Sequence, residues 1–470
     1  MASSFRDPDG CLVTFDNRVL RFVHQSGAAN LSAFLASETA RKAIDSRTLV
    51  STTLLDQHTA AVTIKRQPDS EAEIVSIVEH DRISFPSFPY EWTPAMLAAA
   101  GDLTLDLAES CLDEGLGLKD ATPYNILFRD SKPVFVDLLS FEQRNPTDPV
   151  WLPYAQFVRT FLLPLLAIKH MGLRMDQIFL TRRDGLEPEE VYRLFSLGKR
   201  LRSPLLSLVT LPTWLSFGSK STNNSVYQRR VVSSEQARFV LSSLFRRLRQ
   251  QLHKATPGDK KTSHWSGYMK TIEDSFPGYV KEKESFVREA LEEFKPRRLL
   301  DVGCNDGYFS RLAAQYGAQV VAIDQDPEVV DTLWQQSRIE DLKILPLVID
   351  LTRPTPGVGW RNAEHESFLD RARGSFDAVL MIAVIHHLLV TERIPLGQIF
   401  EMASELTSDL LIAEFVPTND PMFQRLSRGR DHLFHSLTAD SFRQACERRF
   451  RIIRAQQLGE TQRWIYLLRK

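Results

Sequence analysis

Past residue 295 the chain alternates short apolar runs with stretches of helical periodicity. The runs are Arg298-Leu-Leu-Asp-Val302, Gln319-Val-Val-Ala-Ile323, Ile344-Leu-Pro-Leu-Val-Ile349, Ala378-Val-Leu-Met-Ile382 and Leu410-Leu-Ile-Ala413. Each has the length and β-branched content of a buried strand rather than of a helix. Strands alternating with helices predict a parallel sheet covered on both faces. Phe450-Arg-Ile-Ile453 and Trp464-Ile-Tyr-Leu-Leu468 are separated by polar, glycine-containing sequence and predict a closing antiparallel hairpin, for seven strands in all.

The pattern breaks between Gly218 and His264, where Ser, Asn, Lys, Arg and Gln accumulate in Ser219-Lys-Ser-Thr-Asn-Asn-Ser225 and Ala255-Thr-Pro-Gly-Asp-Lys-Lys261. Between these stretches, Ser233 to Lys254 is helical in period, with Phe239, Val240, Leu244 and Leu248 towards one face and several arginines on the other. A solvated basic connector is the simplest reading. The chain of 470 residues is too long for one core. The expected organisation is an N-terminal domain over residues 1–216, a linker over 217–264 and an α/β domain over 265–470.

With 43% hydrophobic and 25% charged residues, the composition is that of an ordinary folded protein. The formal charge of -1 supplies no overall field towards nucleic acid or anionic lipid, so a polymeric partner needs a local patch. Neither a secretory leader nor a span is evident, since Phe161 to Ile168 is too short to cross a bilayer. The expectation is a cytoplasmic protein without membrane insertion, with nucleic acid disfavoured. Cys11, Cys111, Cys304 and Cys446 are dispersed, which argues for reduced thiols over a disulfide framework or zinc ribbon.

The first strand runs into Asp301-Val-Gly-Cys-Asn-Asp-Gly307 and then a helix. Gly303 and Gly307 permit a tight turn and close approach of a ligand. Such a turn alone serves nicotinamide or flavin enzymes equally well. The neighbouring acids discriminate. Asp324 ends the second strand, where a carboxylate can accept hydrogen bonds from both ribose hydroxyls, and Asp350 follows the third, a candidate for adenine. Asp301 suits an ammonium group and would repel a pyrophosphate, which favours S-adenosylmethionine over a dinucleotide.

These residues resemble the class I, Rossmann-like methyltransferases over essentially everything after Trp265. Gly303 and Gly307 match two glycines of the family's first motif, Asp324 its ribose-binding acid, Asp350 its adenine-side acid, and Phe376-Asp377 the entry to its fourth strand. Asn305 replaces the middle glycine; asparagine tolerates left-handed backbone better than most residues. The resemblance implies S-adenosylmethionine as cofactor.

Methyl transfer from a sulfonium has a good leaving group, so alignment and exclusion of water matter more than a strong base. His386 and His387, in Ile382-Ala-Val-Ile-His-His-Leu-Leu389 after the fourth strand, are candidates for base or substrate positioning, or for capping and packing. Glu414, taken as the end of the fifth strand at the same rim, is a candidate for substrate contact or a structural hydrogen bond. Trp360-Arg-Asn-Ala-Glu-His-Glu-Ser-Phe368 is an insertion that could form a lid or an exposed loop. No metal is expected; a site joining His432 and His435 to the histidine pair is the weaker alternative.

In the N-terminal half, Leu118-Lys-Asp-Ala-Thr-Pro-Tyr-Asn-Ile-Leu-Phe128 precedes Pro133-Val-Phe-Val-Asp-Leu138. Asp120 and Asn125 have the spacing of a kinase catalytic loop, and Asp137 stands where a metal-binding acid would end the next strand. Residues 80–200 resemble the C-lobe of small-molecule and protein kinases, with Phe85-Pro-Ser-Phe-Pro-Tyr-Glu-Trp92 at the hinge. The preceding sequence lacks a glycine-rich nucleotide loop, and Val62-Thr-Ile-Lys65 lies too close to that hinge. The reading is an α+β kinase-like domain for binding or scaffolding, with a phosphotransfer site at Asp120, Asn125 and Asp137 as the alternative.

Both halves together, through Phe5-Arg-Asp-Pro8, Tyr90-Glu-Trp92, Leu118-Lys-Asp-Ala121, Asp137-Leu-Leu-Ser-Phe-Glu142 and Glu414-Phe-Val-Pro417, resemble two-domain bacterial methyltransferases of the NoeA-like type. That resemblance implies an S-adenosylmethionine-dependent enzyme of surface-glycan or secondary metabolism. The glycine turn, Asp324, Asp350 and the strand order make methyl transfer to an oxygen or nitrogen of a small molecule, glycan or protein-borne acceptor the leading reading. A bifunctional kinase and methyltransferase and a non-catalytic assembly protein are the competing readings.

Overall fold

The computed structural model describes residues 3–4, 6–15, 17–56, 73–218, 232–258 and 278–470. The expectations on Trp265, Val62 to Lys65 and the polar run 219–225 lie outside these residues. The chain divides into two compact units: Met1–Asp259 with Val358–His365, and Lys260–Gly357 with Glu366–Lys470.

The second unit carries a seven-stranded sheet. Its order is Ile344–Val348, Gln319–Asp324, Arg298–Val302, Phe376–Met381, Thr407–Phe415, Trp464–Arg469 and Arg451–Gln457. The first five strands are parallel and the last two form the antiparallel hairpin. The middle of the sheet is apolar on both sides: Leu299, Val320, Ile344, Leu380 and Ile412 are buried in one cluster with Phe286, Ala290 and Leu333 from covering helices. This is why the strands are near-continuous Val, Ile and Leu runs rather than alternating ones.

Local chemistry starts the helices where the strands deliver the chain. Asp326 caps helix Pro327–Ile339 by accepting from the Glu328 N–H, with proline at the first helical position. Helix Tyr308–Gln315 begins after Gly307, whose φ of +80° is open to glycine. A Cβ at Gly307 would lie 2.2 Å from Leu333 Cδ1, so this glycine lets two helices pack, and its neighbours Asp306 and Tyr308 line the cleft described below.

The first unit is α+β. An antiparallel sheet of order Ser3–Ser4, Gly10–Phe15, Arg18–His24, Ile74–His80 and Thr52–Leu54 precedes helix Pro94–Cys111, and two two-stranded antiparallel sheets follow, Leu116–Leu118 with Phe141–Gln143 and the hairpin Ile126–Arg129 with Lys132–Phe135. Helix Ser234–Ala255 also belongs here, which corrects the solvated-connector reading. Its buried face is Ala237, Leu241, Phe245, Leu248 and Leu252, whereas Phe239 and Val240 are exposed. Its basic residues meet acids of helix Pro94–Cys111: Arg249 pairs with Asp106 at 2.5 Å, and His253 with Asp102 at 2.8 Å.

Val358–His365 lies in the first unit as well. Glu364 accepts from Arg6 and Arg183 at 2.7 and 3.0 Å, and His365 stacks on Phe88 with ring centroids 4.3 Å apart.

Candidate active site

The carboxyl ends of the first four strands open into one cleft. It is lined by Asp301, Gly303, Asn305, Asp306, Asp324 and Asp350, together with Ile382 to Val384 and His387. Gly303 and Asn305 both hold left-handed backbone, with φ of +72° and +52°. The loop therefore turns as a glycine-rich turn would, and the missing middle glycine is met by asparagine. A Cβ on Gly303 would come within 3.0 Å of Val384 Cγ2, so the loop and the end of the fourth strand close on each other there.

Asp324 receives the Asn305 N–H on one carboxylate oxygen and the Asp326 N–H on the other, both at 3.0 Å. The Gln325 N–H also acts on this carboxylate, whose four acceptor sites leave at least one for a ribose hydroxyl. Burial raises its pKa, while those backbone donors oppose the shift. Asp301 accepts from the Ser310 hydroxyl at 2.6 Å and is buried; burial pushes its pKa up to about 7, with the nearby Asp324 adding to the effect. The buried Oδ1 atoms of Asn305 and Asp306 have no donor among the described residues. A cleft of acids and orphaned acceptors fits a ligand bearing an ammonium and sugar hydroxyls, and repels a pyrophosphate.

Asp350 is less available than its position suggested. Its Oδ1 accepts from the backbone and hydroxyl of Thr352, and its Oδ2 from two nitrogens of Arg353. These four bonds fill its acceptor sites, so an adenine contact through the side chain requires the exposed Arg353 to swing away.

The histidines divide. His387 lines the cleft, and burial lowers its pKa to about 4, so it is neutral near pH 7. His386 is buried outside the lining, and neither ring nitrogen has a partner among the described residues. Neither caps the helix Ile385–Val390, which has no side-chain cap.

Glu414 does not reach the rim. Pairing of Glu414 with Ile465 and of Phe415 with Trp464 extends the fifth strand beyond Ala413, leaving the carboxylate inside the protein. It accepts from the Tyr279 hydroxyl and, at 2.8 Å, from Lys283 Nζ. Arg463 donates to Tyr279 at 2.7 Å and clamps Asp420 with bonds of 2.7 and 3.0 Å. Two cations and two carboxylates thus neutralise each other below the cleft. Burial would raise the Glu414 pKa, but Lys283 and Arg463 together hold it below its ordinary value.

Lys283 was not anticipated, and it is the one lysine or arginine among the described residues lining the cleft. Burial lowers its pKa against the pull of Glu414. Its signal lay in helix Tyr279–Phe294, where Tyr279, Lys283, Phe286, Val287, Ala290 and Leu291 form the buried stripe. A lysine within such a stripe calls for a buried acid. Among the described residues, no group of three His, Cys, Asp or Glu side chains is arranged for a metal ion, and His432 and His435 are exposed.

Residues 278–449 match the family model described as a methyltransferase domain. These residues form a class I, S-adenosylmethionine-dependent methyltransferase domain. The chain is 29% identical over 472 residues to the nodulation protein NoeA of Rhizobium meliloti (strain 1021), a match covering 99% of this chain and 95% of that protein. It is 30% identical over 95 residues to a ubiquinone biosynthesis O-methyltransferase of Caulobacter sp. (strain K31), covering 20% of this chain and 32% of that one. The N-methyltransferase NodS from Bradyrhizobium japonicum WM9, solved with S-adenosyl-l-homocysteine, superposes with a TM-score of 0.32 at 14% identity, covering 42% of this chain and 90% of its own.

In the first unit, the residues singled out by kinase spacing have protein partners. Arg21 pairs with Asp137 at 2.7 Å, Ser140 bridges Asn125 to Asp137, and Gln156 donates to Asp120 at 3.4 Å. Lys119 pairs with Asp9. The Arg21 guanidinium on Asp137 opposes by its charge a magnesium ion shared by Asn125 and Asp137.

Proposed function

We propose that the methyltransferase acts on an oxygen or nitrogen of a small-molecule, glycan or protein-borne acceptor, and that residues 265–470 form its catalytic domain. The observation that carries this reading is the single cleft that gathers Asp301, Asp306, Asp324, Lys283 and His387 at the strand ends. S-adenosylmethionine supplies a methyl group on a sulfonium whose departure leaves a neutral thioether. Asp324 holds a ribose hydroxyl, Asp301 and Asp306 the ammonium, and Lys283 the carboxylate. Glu414 and Tyr279 keep Lys283 in place from below. Neutral His387 offers a ring nitrogen as hydrogen-bond acceptor to the acceptor's O–H or N–H and so orients its lone pair. With a pKa of about 4 it positions better than it deprotonates. His386 and Glu414 support this arrangement from behind.

Relatives carry both acceptor types in their names, an O-methyltransferase and an N-methyltransferase. The first unit, Met1–Asp259 with Val358–His365, is read as a kinase-derived binding or scaffolding domain, a reading favoured by the Arg21 cation paired with Asp137. Incubating fractionated native extract with methyl-labelled cofactor tests the activity. Label should enter one class of acceptor and fail to do so with Asp324→Ala; no acceptor-dependent formation of S-adenosylhomocysteine in any fraction would overturn the reading.

A further inference from the structure

The first unit carries an apolar surface whose chemistry none of the above uses. In helix Leu211–Gly218, the polar Thr213 is fully buried while Leu211, Trp214 and Leu215 face outward, the last two 50% and 72% exposed. That is the reverse of the usual arrangement, in which the apolar stripe faces the core. Leu194, Leu197 and Leu201 are also exposed, Leu197 by 72%. The two groups adjoin: the Trp214 indole donates to the Tyr192 hydroxyl at 3.3 Å, and the Arg200 guanidinium lies 3.9 Å over the Tyr192 ring. Solvent-facing aliphatic side chains in such a cluster mark an interaction site.

Past Glu190, which meets Arg182 and Arg193, the charges beside it have one sign. Arg193, Lys199 and Arg202 are exposed, and Lys199 and Arg202 have no ion pair with a described residue. Between Glu190 and Glu235 the sequence contains no Asp or Glu. This is the local patch that a chain of net charge -1 needs in order to meet a polyanion. Phosphates of nucleic acid would engage the cations but gain nothing from five leucines. Leucine and tryptophan flanked by lysine and arginine match the acyl boundary and headgroups of an anionic bilayer. No described helix is long and apolar enough to cross a membrane, so contact would be with the surface alone. We propose that the surface formed by Leu194, Leu197, Leu201, Leu211, Trp214 and Leu215, with its surrounding cations, docks the protein on an anionic lipid bilayer.

The full-length protein is sedimented with sucrose-loaded vesicles of phosphatidylcholine, alone or with roughly a third phosphatidylglycerol. Wild type should pellet with the anionic vesicles and stay in solution with the neutral ones. Trp214→Ser with Leu215→Ser should lower partition at least about tenfold, because the two adjacent side chains supply a large share of the exposed apolar surface. Lys199→Glu with Arg202→Glu should lower it at least about twentyfold in dilute buffer, with a smaller effect in strong salt. An unchanged circular dichroism spectrum and an unchanged melting temperature show each variant to be folded. Absence of wild-type binding, or binding that both variants retain, overturns the proposal. So does a wild-type oligomer in light scattering that the Trp214 variant dissolves, which would make this face a contact between copies. Tight binding of RNA that ignores the loss of Trp214 and Leu215 would equally overturn it.

Discussion

Asp301 ties cofactor binding to pH. Its carboxyl is buried, and burial moves its pKa from 3.8 to about 7. An ammonium arriving beside it requires the ionised form, so binding expels the proton that the empty cleft holds. At pH 6 the free protein is about 90% protonated there, and about 0.9 proton should be released per cofactor; at pH 8 the release falls to about 0.1. The apparent dissociation constant should rise about tenfold from pH 8 to pH 6 and about a hundredfold from pH 8 to pH 5. Calorimetry with S-adenosylhomocysteine at pH 6, in buffers of different ionisation enthalpy, counts the proton directly.

Asp301→Asn removes that titration, so proton release should drop to near zero and the affinity at pH 8 by roughly tenfold to a hundredfold, as for loss of a charged hydrogen bond. Stability should move the other way. A carboxyl whose folded pKa is raised contributes stability fully below its unfolded value of 3.8, and that contribution is lost as pH rises through about 7. Above that pH the buried charge costs up to about 4 kcal/mol. The asparagine variant without cofactor should therefore melt higher than wild type at pH 8. Equal proton release in wild type and variant, or a variant that melts lower at pH 8, would refute the reasoning.

Three further substitutions probe the surroundings of the cleft. Gly307→Ala forces a Cβ to within 2.2 Å of Leu333 Cδ1 at a left-handed backbone and should destabilise by about 2–3 kcal/mol in urea titration, with Leu333→Ala costing less in its presence than alone. Glu414→Gln strands Lys283 and should cost about 3–5 kcal/mol of unfolding free energy; a loss near zero would mean that the ion pair is not dry. With Lys283→Met, the preference for S-adenosylhomocysteine over 5′-methylthioadenosine, which lacks the amino acid, should shrink at least about tenfold; an unchanged preference assigns the carboxylate elsewhere.

The central sheet was legible because its strands are buried on both faces and so stand out as Val, Ile and Leu runs, each followed by a helical pattern. Asp324 was legible for a related reason, since a parallel strand delivers its last residue to the ligand edge. Glu414 was placed one position too far out. Nothing local to Ala413 reveals that the Trp464–Arg469 strand continues the pairing through Phe415. The dry ion cluster was hidden because its members sit far apart in the chain, and only Lys283, on an otherwise apolar stripe, betrayed it. In helix Ser234–Ala255, Phe239 and Val240 drew the eye as the larger apolar side chains, but the stripe through Ala237, Leu241 and Phe245 is the one that packs. The helix contact of Gly307 stayed hidden behind its ligand motif until Leu333 was seen beside it.

The most direct test is the affinity of S-adenosylhomocysteine for wild type and for Asp324→Ala, measured by calorimetry at pH 8. Loss of the ribose hydroxyl contact should weaken binding about a hundredfold or more. Equal affinities would contradict the placement of the nucleoside on which the account rests.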